Sequence, residues 1–401
     1  MRLVSLPERP DWKEKAEAAG FTFHTMYGKP YWVENGAYAF TLEEVETALE
    51  DPATDLHAMC REAVAAIVAS EELMDRCGIP WAARDVVAES WRAGEPELYG
   101  RFDFIHTGTG PAKMIEYNAD TPTSLFEAST FQWHWLEDQI AAGVLADGSD
   151  QFNALFERLR DCFAEILPHG SDIHFTSLGG QDTNPEDYGT VETLAYMARA
   201  AGMGAHYTEL SQIGLTEEGQ FADAESRVIG TLFKLYPWED MLRDDFAAHL
   251  RTARCRMIEP AWKALVSNKA LLPILWRMFE GHPNLLPAVF ADDAERGGDA
   301  VVTRALDALE AGAVRKPIFS REGASVTITQ GDRILEQAGD RTYDAHPEII
   351  QAYHEMPVFN GHRPILGIWM AGQAACGMGI REDASRITQD LSMFRPHFIE
   401  A

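Results

Sequence analysis

Hydrophobic and polar positions change their period along the 401-residue chain, and each change predicts a different kind of element. Residues 41–76 have helical spacing: they open with a T-x-x-E capping box at Thr41 and Glu44 and continue through a stretch rich in Ala, Met, Val and Ile. From Tyr99 to Asn118 the period shortens to two, and the turn segment HTGTGPA separates two alternating runs. The pattern predicts packed helices followed by a β-hairpin.

The middle of the chain has the pattern of a βαβ unit. SDIHFTSLGG predicts a short strand closed by glycines, TVETLAYMARAAG predicts an amphipathic helix, and AHYTEL predicts a second strand. The glycines leave a Rossmann nucleotide site as an alternative, although the G-x-G-x-x-G motif is missing. We favour a small doubly wound insert.

The last third of the chain combines a helix with an antiparallel sheet. EPAWKALVSNKALLPILWRMF predicts a helix, while VRKPIFSREGASVTIT and PILGIWMAGQAACGMGIRED predict strands. Runs of β-branched and aromatic residues split by glycines are typical of antiparallel pairing. The chain as a whole is predicted to be α+β with an α/β insert.

The predicted hairpin gathers polar residues on one face, because residue numbers in an antiparallel pair sum to a constant. The opposite face is apolar, as a sheet packed on a core requires. The expected pairs are Ile105 with Met114, Asp103 with Glu116, and Arg101 with Asn118, and the apolar face holds Phe102, Phe104, Ile115 and Tyr117.

This register sets two carboxylates opposite each other, which is destabilising unless something offsets the repulsion. A divalent cation would do so, because Mg²⁺ takes carboxylate and amide oxygens together with water and phosphate. We therefore predict a magnesium site at Asp103, Glu116 and Asn118, beside Arg101, whose planar guanidinium suits a phosphate. The alternative is a solvated ion-pair face on an exposed strand.

Three further basic residues could hold phosphate groups. Lys316 lies in line with the apolar residues Val314 and Ile318 on one face of a predicted strand. The turn SREGASV after it could offer backbone N–H groups to a phosphate. Lys269 lies in an apolar helical stretch, where it either snorkels or pairs with an anion. Arg381 follows the strand CGMGI, whose glycines would let a ligand approach closely, with a surface arginine as the alternative.

Length and charge narrow the class of protein. The chain exceeds the roughly 250–300 residues at which one core stops growing, so at least two packed units are expected. The 63 Asp and Glu against 34 Lys and Arg give a net charge of -29, which disfavours nucleic acid and anionic membranes. A cationic substrate or an acidic proteome would each explain this charge.

Other sequence features indicate a cytoplasmic enzyme rather than a secreted or membrane protein. The N-terminus lacks an apolar signal region, no stretch reaches the roughly 20 apolar residues of a membrane span, and the five cysteines are scattered. The motifs G-x-x-x-x-G-K-[ST], H-E-x-x-H and G-x-S-x-G are absent. The remaining magnesium- and phosphate-type residues point to ATP-dependent group transfer.

Several long segments, in the same order, closely resemble the synthetase portion of the glutathionylspermidine synthetase family. This is an ATP-grasp group of carbon–nitrogen ligases, and the similarity covers nearly the whole chain. The segments are RFDFIHTGTGPAKMIEYNADTPTSLFE, WHWLED, IEPAWKALVSNKALLPILW, VRKPIFSREGAS and GIREDASRIT.

The resemblance implies a fold and a role for each matching position. It implies an ATP-grasp fold with an inserted α/β pre-ATP-grasp, Rossmann-like substrate domain, which we place at residues 171–256, between ATP-grasp parts at 1–170 and 257–401. The implied residues are Asp103, Glu116 and Asn118 for magnesium; Arg101, Asp103, Lys269 and Lys316 for ATP; Arg101, Arg321 and Arg381 for catalysis; and Ser124, Glu186 and Asp187 for substrate.

The activity implied is amide formation between a carboxylate of glutathione or a related peptide and a polyamine or other amine, with ATP and Mg²⁺. The chain begins directly at the ligase segments, so it resembles the short ligase-only branch, and product hydrolysis is not expected. A late family aspartate near the amine site falls at or close to Met393, so the identity of the amine is left open. The oligomeric state is also open, with a homodimer among the options. A nucleotide-binding pseudo-ligase and a magnesium-dependent phosphohydrolase are the alternative interpretations.

Overall fold

The structure, a computed structural model, describes residues 1–389 and 392–401. Its helices gather mainly in the N-terminal half. They are α1 (Trp12–Ala18), α2 (Leu42–Val45), α3 (Asp51–Val68), α4 (Glu71–Arg76), α5 (Arg84–Arg92), α6 (Gln132–Ala141), α7 (Leu155–Ile166), α8 (Pro185–Ala200), α9 (Trp238–Met241), α10 (Leu271–Met278), α11 (Ala291–Arg296) and α12 (Ala300–Leu309).

The strands run through the whole chain and are short in its middle. They are β1 (Arg2–Ser5), β2 (Thr25–Met26), β3 (Lys29–Pro30), β4 (Gly36–Phe40), β5 (Tyr99–Ile105), β6 (Lys113–Asn118), β7 (Asp172–Ser177), β8 (Gly204–Tyr207), β9 (Gly214–Leu215), β10 (Phe221–Ala222), β11 (Thr231–Leu235), β12 (Arg256–Ile258), β13 (Ala288–Phe290), β14 (Ala313–Pro317), β15 (Thr327–Gln330), β16 (Arg333–Gln337), β17 (Glu348–Ala352), β18 (Arg363–Ala371), β19 (Ala374–Asp383), β20 (Met393–Arg395) and β21 (His397–Ile399).

The N-terminal helices follow the predicted cap and spacing. Thr41 Oγ1 accepts a hydrogen bond from the Glu44 backbone N–H at 3.1 Å, which confirms the predicted cap. After α2, a π-helical turn (Glu46–Glu50) leads into α3, whose buried residues join the main hydrophobic core. This core also contains the apolar face of the central sheet, so the helices cover the side of the sheet that faces away from the cleft described below.

The central sheet is antiparallel, with strand order β20-β19-β18-β5-β6. Its hairpin β5–β6 has the predicted register over its polar half: Asp103 lies opposite Glu116, and Arg101 lies opposite Asn118. These four residues therefore share one face, as alternation requires. The mixture of sheets and helices confirms the α+β prediction.

A β-bulge shifts the other half of this hairpin by one residue. Met114 lies opposite Phe104, so the predicted pairing of Ile105 with Met114 is wrong. Met114 takes the core-facing position that simple alternation assigned to Ile115, whereas Ile115 lines the cleft with Ile105. The physical reason is that one extra residue in a strand exchanges the faces of the residues beyond it.

A second antiparallel sheet, with order β13-β17-β14-β15-β16, carries Lys316 on β14. The predicted long helix before this sheet is wrong in its middle, because a 3-10 turn (Ala261–Leu265) and α10 are separate and Lys269 lies between them. Asn268 Oδ1 accepts a hydrogen bond from the Ala270 N–H at 2.8 Å. Such a side chain-to-backbone bond competes with helix continuation, although the apolar spacing is uninterrupted.

The middle of the chain forms a parallel sheet with order β12-β11-β7-β8. Strands β7 and β8 are parallel neighbours with α8 between them in sequence, which confirms the predicted βαβ unit. In such sheets ligands bind beyond the carboxyl ends of the strands. The loop after β7 and the start of α8 lie at that end and line the cleft.

Across residues 1–389 and 392–401, no helix is both long enough and apolar enough to cross a membrane.

Candidate active site

A cleft of about 840 Å³ is lined by the two five-stranded sheets and by the start of α8. Its volume is in the usual range for small-molecule sites. All the residues singled out from the sequence line this cleft, namely Arg101, Asp103, Glu116, Asn118, Ser124, Glu186, Asp187, Lys269, Lys316, Arg321 and Arg381.

Asp103 is held by two arginines. Arg101 Nε donates to Asp103 Oδ1 at 2.8 Å, and Arg381 Nη2 donates to Oδ2 at 2.6 Å. Arg101 is 5% exposed and Asp103 is 2% exposed, so a solvated ion-pair face is wrong for this pair. A buried carboxylate requires such partners. The pairing also fixes both guanidinium groups at the wall of the cleft.

Glu116 pairs with Lys269, whose Nζ lies 3.2 Å from Oε2. The same Nζ donates to the Ser320 carbonyl at 2.8 Å, so Lys269 pairs with an anion rather than extending into solvent. Burial would raise the pKa of Glu116, but the positive charges of Lys269 and Lys316 outweigh burial and hold this pKa well below its usual range. Glu116 is therefore ionised.

Lys316 reaches the hairpin at the β-bulge. Its Nζ donates to the backbone carbonyl of Ile115 at 2.9 Å, at the irregularity between the two strands. Burial lowers the pKa of Lys316 to about 8, while the charge of Glu116 acts in the opposite direction. The bulge that reverses the face of Ile115 thus also provides the acceptor that positions Lys316.

The oxygens of Asp103, Glu116 and Asn118 fit a hard divalent cation. Asn118 Nδ2 lies 3.1 Å from Glu116 Oε1 and 3.4 Å from Asp103 Oδ2, so the three side chains converge. In the part of the chain that the structure describes, no three His, Cys, Asp or Glu side chains group as a metal site. A cation here would therefore have two carboxylates and one amide oxygen, completed by water and phosphate, a ligand set suited to Mg²⁺.

The segment 119–124 after β6 is anchored on two sides. Asp120 Oδ1 accepts from Lys234 Nζ at 2.7 Å, and Oδ2 accepts from the Trp238 backbone N–H at 2.7 Å. Arg101 Nη1 donates to the Thr123 carbonyl at 2.8 Å. Because Lys234 lies on β11, these bonds fix the cleft wall against the parallel sheet.

Arg321 lies in the loop between β14 and β15, with a side chain that is 42% exposed. Its Nη2 donates to Thr121 Oγ1 at 3.0 Å and lies 3.4 Å from Glu239 Oε1. Gly323 has a φ of +71°, and a Cβ there would lie 2.7 Å from the Thr388 carbonyl oxygen. The loop therefore packs closely and brings Arg321 to segment 119–124.

Sequence reasoning missed two residues beside Ser124. Tyr31 lines the cleft, and its hydroxyl donates to Glu127 Oε1 at 2.6 Å and lies 3.1 Å from Ser124 Oγ. The single acid in the apolar segment SLFEASTF is a signal that could have indicated Glu127. Tyr31 has no such signal, because it comes from a segment 96 positions earlier.

Glu186 and Asp187 lie in the first turn of α8. The Asn184 side chain caps this helix by accepting from the Asp187 N–H at 3.2 Å. Acidic residues stabilise a helix N-terminus, which alone accounts for their residue type. Burial and the charges of Glu127 and Glu186 raise the pKa of Tyr31, so the α8 end of the cleft is acidic.

An apolar patch adjoins the basic residues on the sheet side of the cleft. Its members pack on one another and all line the cleft: Ile105, Ile115, Met356 and Ile365. The cleft thus combines an apolar wall, a basic centre with two carboxylates, and an acidic end.

The fold is similar to that of one solved glutathione synthetase-like protein. The solved structure of a glutathione synthetase-like effector from Globodera pallida superposes with a TM-score of 0.55 at 12% identity, covering 90% of this chain and 88% of that chain. At this identity the likeness concerns the fold alone. The chain belongs to the glutathionylspermidine synthase preATP-grasp family, which matches residues 3–400 and confirms the resemblance found in the sequence.

Three relatives that are similar in sequence have names that include a ligase or synthetase activity. A candidate acid–amine ligase of Haemophilus influenzae is 38% identical and aligns over 99% of both chains. Trypanothione synthetase of Crithidia fasciculata is 29% identical over 84% of this chain and 52% of its own length. The bifunctional glutathionylspermidine synthetase/amidase of Escherichia coli is 25% identical over 90% of this chain and 58% of its own. The chain spans little more than half of these last two relatives.

Proposed function

We propose that the protein is an ATP-dependent acid–amine ligase, which activates a carboxylate as an acyl phosphate and joins it to an amine. The observation that carries this proposal is the pair of facing carboxylates, Asp103 and Glu116, held among four cationic side chains in one cleft. Family membership and the 38% identical relative support the same reaction class. The cationic side chains are Arg101, Lys269, Lys316 and Arg381.

We assign the cleft between the two antiparallel sheets to ATP, as in an ATP-grasp fold. The apolar wall that includes Ile115 and Met356 suits the adenine ring. Lys269 and Lys316 are placed to neutralise phosphate oxygens, because both ammonium groups flank Glu116. The proposed division at residues 170 and 256 leaves β7, β8 and β11 of the parallel sheet in the insert but cuts its edge strand β12 after the first residue; we assign substrate binding to this parallel sheet.

Asp103, Glu116 and Asn118 would hold Mg²⁺ against the phosphates of ATP. Bound there, the cation would neutralise charge on the phosphate oxygens. Around it, Arg101 and Arg381 are already oriented by Asp103, so they require little reorganisation to meet the developing charge. Arg321 is assigned to the same role from the β14–β15 loop.

The acid and the amine are assigned to the α8 end of the cleft. The substrate carboxylate attacks the γ-phosphate to give an acyl phosphate and ADP, and the amine then displaces phosphate. Ser124 lies on the wall beside Arg101, and we assign it to the acid, with glutathione or a related peptide as the first candidate. Glu186 and Asp187 favour a polyamine or another cationic amine.

An ADP-release screen of acids against amines is expected to give magnesium-dependent turnover only when both substrates are present. Glu116→Gln should raise the Mg²⁺ concentration for half-maximal turnover by at least about 10-fold, because it removes a charged oxygen ligand, and loss of a residue that merely supports a ligand already costs about 10–100-fold in metal affinity. Mass spectrometry of the adduct identifies the acid and the amine. ADP release without an amide adduct would contradict the ligase and favour a phosphohydrolase.

A matched control for this screen is Glu280→Gln, which removes a carboxylate from a surface ion pair with Arg304. It should leave the magnesium requirement unchanged. Stimulation by neutral amino acids but not by polyamines would overturn the assignment of Glu186 and Asp187. Nucleotide binding without turnover under every combination would instead favour a pseudo-ligase.

Gly367 provides a test of how closely Arg101 must be positioned. Gly367 lies opposite Asp103 on β18, and a Cβ there would stand 2.7 Å from Arg101 Cδ. Gly367→Ala should therefore displace the guanidinium, and a displacement of about 1 Å can lower turnover roughly 10²-fold. Steady-state kcat measures this loss. Gly214→Ala is the control, because its Cβ position is open, and unchanged kcat in both variants would disprove the role of Arg101.

A further inference from the structure

A buried acid is connected to the cleft through a tyrosine. Tyr31 lines the cleft with only 3% of its surface exposed, and its hydroxyl donates to Glu127 at 2.6 Å. Glu127 itself is 1% exposed. Ser124 Oγ, which also lines the cleft, lies 3.1 Å from the same hydroxyl. A continuous hydrogen-bonded chain thus runs from the proposed acid-binding wall to the Glu127 carboxylate.

This arrangement differs from an ordinary buried tyrosine–glutamate pair elsewhere in the protein. Tyr38 donates to Glu382 Oε2 at 2.7 Å, but Arg395 Nη2 lies 2.7 Å from Glu382 Oε1 and neutralises the charge of that carboxylate. Among the described residues, no lysine, arginine or histidine forms an ion pair with Glu127. A purely structural role accounts for Glu382, whose charge is paired, but not equally well for Glu127, because a buried charge without a paired cation lowers the stability of the fold.

The charges around Glu127 come from several elements. Arg101 on β5 and Arg381 on β19 act on it at longer range, and Tyr31 carries the contact to the cleft. The charge of Glu186 on α8 also acts on Tyr31. Burial raises the pKa of Glu127 to about 7, although the Tyr31 hydrogen bond and the two arginines act against burial. Glu127 can therefore exchange a proton near neutral pH.

We propose that Glu127 accepts, through the Tyr31 hydroxyl, the proton that a cationic amine must lose before its nitrogen can attack the acyl phosphate. This inference rests on the proposed ligase reaction and names a proton path for its second step. Ser124 would connect the reacting nitrogen to Tyr31. Glu127 acts through Tyr31 and is not assigned a contact with either substrate.

The step balances in atoms and electrons. The ammonium nitrogen first loses one proton, and the electron pair that is freed attacks the acyl carbon. The new N–C bond forms while the C–O bond to phosphate breaks with its electron pair leaving on phosphate. The first proton passes from nitrogen to the Tyr31 oxygen, directly or through Ser124, while the Tyr31 proton passes to Glu127 Oε1. The second proton, which nitrogen loses once the N–C bond has formed, leaves with the departing phosphate. Glu127 later returns its proton to solvent, which restores the starting state.

The proposal is tested by comparing two acceptors with glutathione as the acid. Spermidine arrives as an ammonium ion and needs proton removal, whereas hydroxylamine is largely uncharged at neutral pH and traps acyl phosphates as hydroxamates. Glu127→Gln keeps an oxygen for the Tyr31 hydroxyl and should lower amide formation with spermidine about 10²-fold, the usual size of a general-base effect. Hydroxamate formation should stay within about twofold of wild type.

The pH profile separates a proton path from a packing role. Amide formation by the wild type should rise through about pH 7, because only the ionised form of Glu127 accepts a proton. Glu127→Gln and Tyr31→Phe should both lose this rise. Tyr38→Phe, which removes the hydroxyl of the comparison pair, should keep it. Equal losses with both acceptors, or an unchanged profile in Glu127→Gln, would overturn the proposal.

A measurement without substrates distinguishes failure of this proposal from failure of the ligase reaction. Infrared difference spectra of wild type against Glu127→Gln should show one carboxyl group that titrates near pH 7. If it remains ionised from about pH 5 to pH 9, the proton path is wrong whatever reaction the protein catalyses. Absence of wild-type ADP release with glutathione and either acceptor would count against the proposed substrates, and the titration would still decide on Glu127.

Discussion

Arg381→Ala is expected to lower kcat for ADP formation by about 10³–10⁵-fold, the range measured when phosphoryl-transfer enzymes lack an arginine at the transferred group. ATP affinity should change much less. A rapid-quench measurement of acyl-phosphate formation, combined with a nucleotide-binding titration, separates these two effects. The proposed cause is loss of charge stabilisation in the transition state rather than loss of ground-state binding.

The geometry explains why Arg381 rather than a neighbouring residue should have this effect. Its Nη2 lies 2.6 Å from Asp103 Oδ2, and its side chain is 22% exposed, so it is anchored at one end yet reachable from the cleft. Arg101 would remain beside Asp103 in the variant, at 2.8 Å, and would keep that carboxylate paired. The fold should therefore survive the substitution.

Two further variants make the Arg381 test specific. Arg363→Ala removes an arginine from the first position of the neighbouring strand β18, opposite Asp383 and outside the cleft lining, and should retain nearly full turnover. Arg381→Lys should recover only part of the rate, because an ammonium group lacks the planar pair of donors. Near-normal kcat in Arg381→Ala, with folding verified, would disprove the role given to this residue.

The polar face of the hairpin could be predicted because alternation is a local property. Arg101, Asp103, Glu116 and Asn118 need only two strands and a turn to meet, and the strands follow each other in sequence. The bulge was not predictable in the same way. It depends on contacts from a distant strand, including the bond between Lys316 and the Ile115 carbonyl.

Other features that depend on contacts between distant parts of the chain could not be predicted for the same physical reason. The break before α10 is caused by hydrogen bonds of Asn268 to Ala270 and to the Cys77 carbonyl, the latter from 191 positions away. The periodicity of the apolar residues continues across this break and contains no sign of it. Likewise, the contact between Tyr31 and Glu127 exists only once the N-terminal segment has packed on the central sheet. Local patterns predicted elements, whereas tertiary hydrogen bonds decided where they end.

Lys234→Met is expected to destabilise the protein by about 3–5 kcal/mol, the usual cost of removing one partner from a buried ion pair. Lys234 and Asp120 are both fully buried, and their charged atoms are 2.7 Å apart. The variant would leave the Asp120 carboxylate with the Trp238 N–H as its remaining described hydrogen-bond donor. Denaturant unfolding followed by tryptophan fluorescence measures the loss, with the midpoint falling at unchanged slope.

The double variant Asp120→Asn with Lys234→Met identifies the cause of this loss. Asn keeps an oxygen for the Trp238 N–H and removes the unpaired charge, so part of the stability should return. Arg304→Met, which breaks an exposed ion pair with Glu280, should have no measurable effect and serves as the control. If Asp120→Asn gives no recovery, the lost stability came from packing of the lysine stem and not from the stranded carboxylate.

The same buried pair also connects stability with the site. Asp120 lies two residues after Asn118, and its bonds to β11 and to the start of α9 hold the segment that contains Ser124. Lys234→Met should therefore raise the KM of the acid substrate even at temperatures where the variant remains folded. The double variant should lower that KM again, because an uncharged amide keeps the bond to the Trp238 N–H without an unpaired buried charge, so the segment can pack as in the wild type. A variant that loses stability but keeps the wild-type KM would show that the bond between Lys234 and Asp120 is not needed to position segment 119–124.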